Sequence, residues 1–500
     1  MTGSPPLCLV TGATGYIGGR LVPELLAAGC RVRVLARHPD RLRDHPWTGD
    51  VEIVQADVSD PATLGPALAG IDVAYYLVHA LGTAAFEDTD RANADTFAAA
   101  AHDAGLGRLV YLGGLTPDPS GGGQLSAHLR SRDEVAQILL ASGVPTAVLR
   151  AAVIIGSGSA SFEMLRYLTE RLPAMITPRW LKTRIQPIAI RDVLRYLVGC
   201  ARLPAQVHRS FDIGGPDVLT YRDMMQRYAA VASLRKRVIL PVPVLTPWLS
   251  SHWVGLVTPV PSSLARPLVE SLRTEVVCRD HDIADYVPDP PSGLLGFEQA
   301  VELALARIKD ADVATRWSSA SVPGAPSDPL PTDPDWAGGS LYVDRRTQAV
   351  AASPAAVWRV IEGIGGERGW YSFPAAWRVR GIADRLIGGV GLRRGRRHPD
   401  RVSVGETIDF WRVEAREENV MLRLRAEMRL PGLAWLELGV EPDGPASTYV
   451  QRAVFHPRGL LGHLYWWGVA PFHGMVFGGM ARNIARAAES QSARQAAPRP

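Results

Sequence analysis

One octapeptide constrains this chain more than any other stretch. Thr11-Gly12-Ala13-Thr14-Gly15-Tyr16-Ile17-Gly18 follows an apolar run that reads as a strand over residues 7–11, and it opens a helical pattern over 16–28. Glycines here let the backbone turn tightly and approach a pyrophosphate, whose charge the free N–H groups and dipole of the helix start can hold. A bare glycine pattern is weak evidence, but a strand before it and a helix after it make it specific. It predicts a dinucleotide site built on Gly12, Thr14, Gly15, Tyr16, Ile17 and Gly18.

The strand–helix alternation continues. Further strands are expected at 31–36, 51–55, 73–78, 108–112 and 146–155, with helices at 61–69, 84–104 and 126–141. Continuous apolar strands in repeated βα units mean a parallel sheet covered on both faces. The fold class is therefore α/β, a doubly wound Rossmann sheet. From about 157 to 309 the pattern loosens into a substrate lobe, with helices expected at 162–171, 191–201, 221–231 and 297–308.

Residues 310–340 read as an extended, flexible linker rich in Pro, Ser and Gly. Beyond it, Ser353-Pro354 reads as a helix cap and first turn. Leu422, Leu424, Ala426, Met428 and Leu430 alternate with Arg423, Arg425, Glu427 and Arg429 as the two faces of a strand. Other strands are expected at 345–351, 404–413, 434–440 and 448–455, and a long helix over 459–488. This second domain, 341–490, is an α+β unit with an aromatic-rich interior, and 491–500 reads as a disordered tail.

Composition bounds the function. Five hundred residues exceed a single core, and 47% hydrophobic with 21% charged residues excludes a wholly disordered or fibrous chain. A net charge of +4 is too mild to argue for nucleic acid. Lysine occurs only at Lys182, Lys236 and Lys309, so arginine clusters carry little meaning by themselves. The four cysteines form no CxxC pair or zinc spacing, and no metal is expected. Cys8 and Cys30 read as buried, reduced thiols of a cytoplasmic protein.

The first apolar run ends at once in the glycine turn, unlike a secretory signal. Prolines break 240–260, while His463, Pro471, His473 and Arg482 interrupt 459–484, so neither is expected to span a bilayer. Peripheral membrane contact stays open. The arginines of 391–401 read as a solvated hairpin.

The second strand ends at Ala36-Arg37, where an NAD site usually places an acid. Arginine suits a 2′-phosphate, so NADP is preferred over NAD. Asp57-Val58 after the third strand is placed to meet the adenine. The alternative is that Asp57 caps the helix beginning near Pro61. His79 ends the fourth strand and is expected on the nicotinamide side, with a purely capping histidine as the alternative.

These residues resemble the extended and atypical short-chain dehydrogenase/reductases, especially the NmrA-like group, over about residues 7–308. Supporting pieces are the glycine turn, Ala56-Asp57-Val58, the run Ile185 to Val193, and Phe211-Asp212-Ile213-Gly214-Gly215-Pro216. The resemblance implies NAD(P) binding and redox chemistry at a carbonyl or hydroxyl. That family's Tyr-x-x-x-Lys signature is absent, since Pro178, Ala232 and Leu305 stand four residues before the three lysines. The matching helix reads His128-Leu129-Arg130-Ser131-Arg132. His128 is the candidate proton donor and Arg132 a candidate ribose contact, with a cofactor-pocket or purely structural His128 as the alternative.

Residues 341–488 resemble the START/polyketide-cyclase-like helix-grip domains, which implies an apolar ligand. The alternative is that the tryptophans simply fill a core. The whole reads as an NAD(P)-dependent oxidoreductase of the atypical short-chain type, reducing a small apolar carbonyl or quinone-like substrate with NADPH. A non-catalytic NADP(H) sensor and a hydrophobic-ligand-binding protein are the alternatives, and the oligomeric state is not legible.

Overall fold

Strands that alternate core-facing residues on two sides must be covered on both. The first strand, β1 (Leu7–Thr11), buries Cys8 and Val10 in one core and Leu9 in another. The computed structural model describes residues 5–80, 85–117, 125–242, 257–311, 330–334, 336–372 and 401–496. It divides into two compact units, Met1–Gly339 and Ser340–Pro500.

In the first unit, β2 (Arg31–Ala36), β3 (Glu52–Gln55), β4 (Val73–Tyr76), β5 (Arg108–Gly114), β6 (Thr146–Ala151) and β7 (Arg209–Ile213) join β1 in one parallel sheet. Its order is β7-β6-β5-β4-β1-β2-β3. Chain order reverses at β1, which lies between β2 and β4, so a crevice opens at the strands' C-terminal ends there. One face is covered by α1 (Tyr16–Ala27) and α6 (Ile190–Cys200). The other is covered by α2 (Pro61–Leu68), α3 (Phe86–Asp103) and α4 (Ala127–Ala141). The seventh strand is an element that the hydrophobic pattern alone does not announce.

The strand expected over 146–155 breaks after Ala151. Ile154–Ile155 pairs instead with Ile188–Ala189 in a separate two-stranded sheet. That break starts the substrate lobe, whose own core gathers α5 (Ala160–Arg171), α7 (Tyr221–Val231), α8 (Ser262–Ser271) and α9 (Phe297–Ala311). Most of 240–260 lies outside the described residues.

The described residues at the end of the expected linker, 330–334 and 336–339, pack against this unit. Asp333 makes a two-pronged ion pair with Arg20 of α1 at 3.0 and 2.7 Å, and both side chains are nearly buried. Trp336 accepts from the Tyr167 hydroxyl through its carbonyl (2.9 Å), and Gly338 N–H donates to Glu163 (3.1 Å). The prolines there shape a strap rather than a free tether.

The second unit is a six-stranded antiparallel sheet. Its strands are β8 (Tyr342–Val350), β9 (Thr407–Ile408), β10 (Trp411–Glu417), β11 (Met421–Ala426), β12 (Gly432–Asp443) and β13 (Ala446–Pro457), ordered β8-β13-β12-β11-β10-β9. Helix α10 (Pro354–Glu362) and the long α11 (Gly459–Ala496) pack on it. Ser353 occupies the cap position of α10, but its hydroxyl makes no cap bond. The strand expected over 404–413 is interrupted, with Asp409 in the left-handed region at φ +54°.

On the polar face of β11, Arg423 is buried against Glu437 at 3.0 Å. Trp358, Trp370 and Trp411 lie in the core of this unit. Helix α11 continues to Ala496, past the point where the tail was expected to begin. The arginine run 391–400 and Trp377 lie outside the described residues.

Candidate functional site

The glycine turn has the geometry its sequence implies. Gly12 sits at φ +68°, and a Cβ there would lie 2.6 Å from the Leu77 carbonyl oxygen. A Cβ on Gly18 would lie 2.4 Å from the Gly12 oxygen, so α1 can approach the turn only without a side chain. The Gly15 N–H donates to the Gly12 carbonyl (2.9 Å). No side chain caps α1, and no acid stands in its first turn. Its positive end is therefore left open beside exposed Gly15 and half-buried Thr14, and these residues fit a pyrophosphate. Thr11 ties β1 to the end of β4, donating to Tyr75 O (3.0 Å) and accepting from Leu77 N–H (2.9 Å).

Other expected contacts are placed differently. The Tyr16 side chain turns toward the substrate lobe, with its buried hydroxyl beside Gly156 and its ring under Arg20 (4.4 Å). Ile17 packs against the core beneath the sheet, and the Val58 side chain is buried in the opposite core.

Asp57 does not cap α2; Asp60 does, accepting from Ala62 N–H (3.0 Å). Asp57 accepts instead from the Ser59 N–H (3.0 Å) and hydroxyl (2.8 Å). Burial would raise its carboxyl, but the two Ser59 bonds and the nearby Arg37 and His38 charges hold it low. Arg37 is exposed at the end of β2, and among the described residues no carboxylate pairs with it. Asp40 is taken by Arg43 at 2.7 Å.

At the ends of β4 and β5 the structure brings His79, His128 and Arg132 together. The His79 and His128 rings lie 5.3 Å apart. Nδ1 of His79 meets Asp90 of α3 at 2.5 Å, and Asp90 also accepts from Ala80 N–H (2.8 Å) and the Ser131 hydroxyl (3.2 Å). With Asp90 ionised, His79 is the tautomer that donates from Nδ1, which leaves the buried Nε2 as a lone-pair acceptor without a partner.

Burial and the Arg132 charge hold the His79 imidazole down at about 4, against the raising effect of Asp90. Burial, Arg132 and His79 push His128 well below its ordinary value too. Both rings are neutral at pH 7. Arg132 donates to the Leu112 carbonyl (3.3 Å) and the Tyr111 hydroxyl (3.4 Å), so its guanidinium is held against β5.

Asp90 was missed by sequence reasoning, although a signal was available. It shares the buried stripe of α3 with Ala94, Phe97, Ala98 and Ala101, where a lone acid is out of place.

A Rossmann sheet with this turn defines a dinucleotide-binding unit. Residues 12–161 match the family model described as NAD(P)H-binding, so the first unit carries an NAD(P)H-binding domain. Residues 336–480 match a family described as "Protein of unknown function (DUF2867)". That match leaves the helix-grip resemblance of the second unit without support.

Among curated proteins, the chain is similar to "Ceramide reductase" of Caulobacter vibrioides. The two are 29% identical over 305 residues, covering 59% of this chain and 92% of that protein. It is also similar to "3 beta-hydroxysteroid dehydrogenase/Delta 5-->4-isomerase" of Mycobacterium tuberculosis, 32% identical over 114 residues, 21% of this chain and 30% of that protein. Among solved structures, triphenylmethane reductase of Citrobacter sp., complexed with NADP(H), superposes with TM-score 0.48 at 18% identity. It covers 59% of this chain and 99% of that one.

Proposed function

We propose that the chain is an NADPH-linked reductase of an apolar, lipid-like carbonyl compound. The observation that carries this reading is the meeting of His79, Asp90, His128 and Arg132 beside the glycine turn. The relative named ceramide reductase, alignable over nearly its whole length, favours a lipid-like substrate. Main-chain amides of Gly12 to Gly18 hold the pyrophosphate, Arg37 takes the 2′-phosphate, and Asp57 borders the adenine. When bound, the dinucleotide supplies a hydride to the carbonyl carbon.

The chain's own residues handle the proton. His128 donates to the carbonyl oxygen as it gains negative charge and is reprotonated from solvent. Arg132, permanently cationic, stabilises that oxygen electrostatically. Asp90 orients His79, whose ring fixes one wall beside His128. Because His128 is held neutral at pH 7, its donating form grows as pH falls. Reduction therefore accelerates from pH 8 toward pH 6, by up to about tenfold per unit.

The test is NADPH consumption with long-chain ketones, aldehydes and quinones. His128→Ala is expected to lose about a hundredfold in kcat and its pH slope, with NADPH affinity unchanged. Arg37→Glu is expected to weaken NADPH more than NADH in the same titration. The missing Tyr-x-x-x-Lys pair favours a second reading, a non-catalytic NADP(H) sensor. Tight NADPH binding with no turnover of any substrate in the panel decides for the sensor.

A further inference from the structure

Helix α11 is apolar on two opposite faces, and the sheet accounts for only one of them. Toward the sheet point His463, Phe477, Met480, Ile484 and Ala488, all buried, while Trp466 stacks on Tyr342 at 4.9 Å and on Phe455 at 5.9 Å. On the opposite face Leu461, Leu464, Trp467, Phe472 and Met475 are 73%, 51%, 60%, 59% and 56% exposed. Their spacing of three to five residues, at about 100° per residue, keeps them in one outward stripe roughly 20 Å long.

The same helix supplies its own contrast. The outward line continues as Arg482 and Arg486, both exposed, as an ordinary surface helix would. From Gly459 to Met480 there is no Asp, Glu, Lys or Arg, and from Arg458 to Ala488 there is no acid at all. Among the described residues no helix is long and apolar enough to cross a membrane. The inner face of α11 is in any case committed to the sheet.

We infer that the outward face of α11, Leu461 to Met475 with Arg482 and Arg486 beside it, docks the protein on the surface of an anionic lipid bilayer. Trp467 and Phe472 are side chains that sit well at the headgroup boundary, and Leu461, Leu464 and Met475 enter the outer acyl region. The two arginines meet lipid phosphates. Charge favours the bilayer over a second copy of the chain, because self-pairing of this face sets two arginines against two arginines, and the acid on the same helix line, Glu489, already accepts from the Ala351 N–H at 3.0 Å. The inference stands independently of the reaction proposed for the first unit.

The test is co-sedimentation of the full chain with phosphatidylcholine vesicles, with and without about one-third phosphatidylglycerol. The chain is expected to bind the anionic vesicles and to release at high salt. Trp467→Glu with Phe472→Glu should lower partitioning at least tenfold, while circular dichroism, melting and NADPH affinity stay unchanged. Arg482→Glu with Arg486→Glu should abolish the preference for anionic lipid. A chain that stays in the supernatant with both vesicles overturns the inference. So does a concentration-dependent dimer that the Trp467/Phe472 variant dissolves, which would make the face a protein–protein interface.

Discussion

Gly18 and His79 are single positions with opposite demands, one for the absence of atoms and one for a buried partner. A methyl group at Gly18 would meet the Gly12 oxygen at 2.4 Å and the Ala13 Cα at 3.0 Å. The turn and α1 would have to separate, and the amides would no longer converge. Gly18→Ala is therefore expected to weaken NADPH binding at least about tenfold by calorimetry. His79 is held at about 4 rather than 6.5, so between those pH values the unfolded chain binds a proton that the folded chain refuses. The His79 contribution to stability should rise with pH across that window and level off above it, by roughly 3 kcal/mol at most, and buried His128 adds to the rise with the same sign. Melting temperature against pH checks this, and His79→Gln should flatten the slope.

At the scale of elements, the strap around Asp333 should matter more than its place in a proline-rich stretch suggests. Asp333→Asn removes the two-pronged ion pair from the nearly buried Arg20 guanidinium, which costs about 3 kcal/mol in denaturant titration. The control is Asp40→Asn, which breaks the exposed pair with Arg43 and should cost under about 0.5 kcal/mol. The contrast also marks what was legible in the sequence. Continuous apolar runs and helical patterns placed β1, β2 and α7 to the residue, because burial on a sheet or core writes itself locally. The strap was not legible, because Arg20 and Asp333 stand 313 residues apart and neither is unusual in its own neighbourhood. The His79–Asp90 pair lay nearer, but an expected pocket histidine hid the helix acid that binds it.

For the whole molecule, the two compact units give ligand binding a signature. NADPH at about a hundred times its dissociation constant should add about 2.7 kcal/mol to the unit Met1–Gly339 alone. Scanning calorimetry should show one transition moving upward while the transition of Ser340–Pro500 stays in place. A shift of both would mean that they unfold together.

The strap also dictates where the polypeptide can be divided. The peptide from Leu330 to Gly339 precedes the second sheet, yet Asp333, Trp336 and Gly338 complete the interior of the first unit. Excising the nucleotide-binding half at the end of α9 would strip Arg20 and Glu163 of these contacts, whereas severing the chain after Gly339 would keep them.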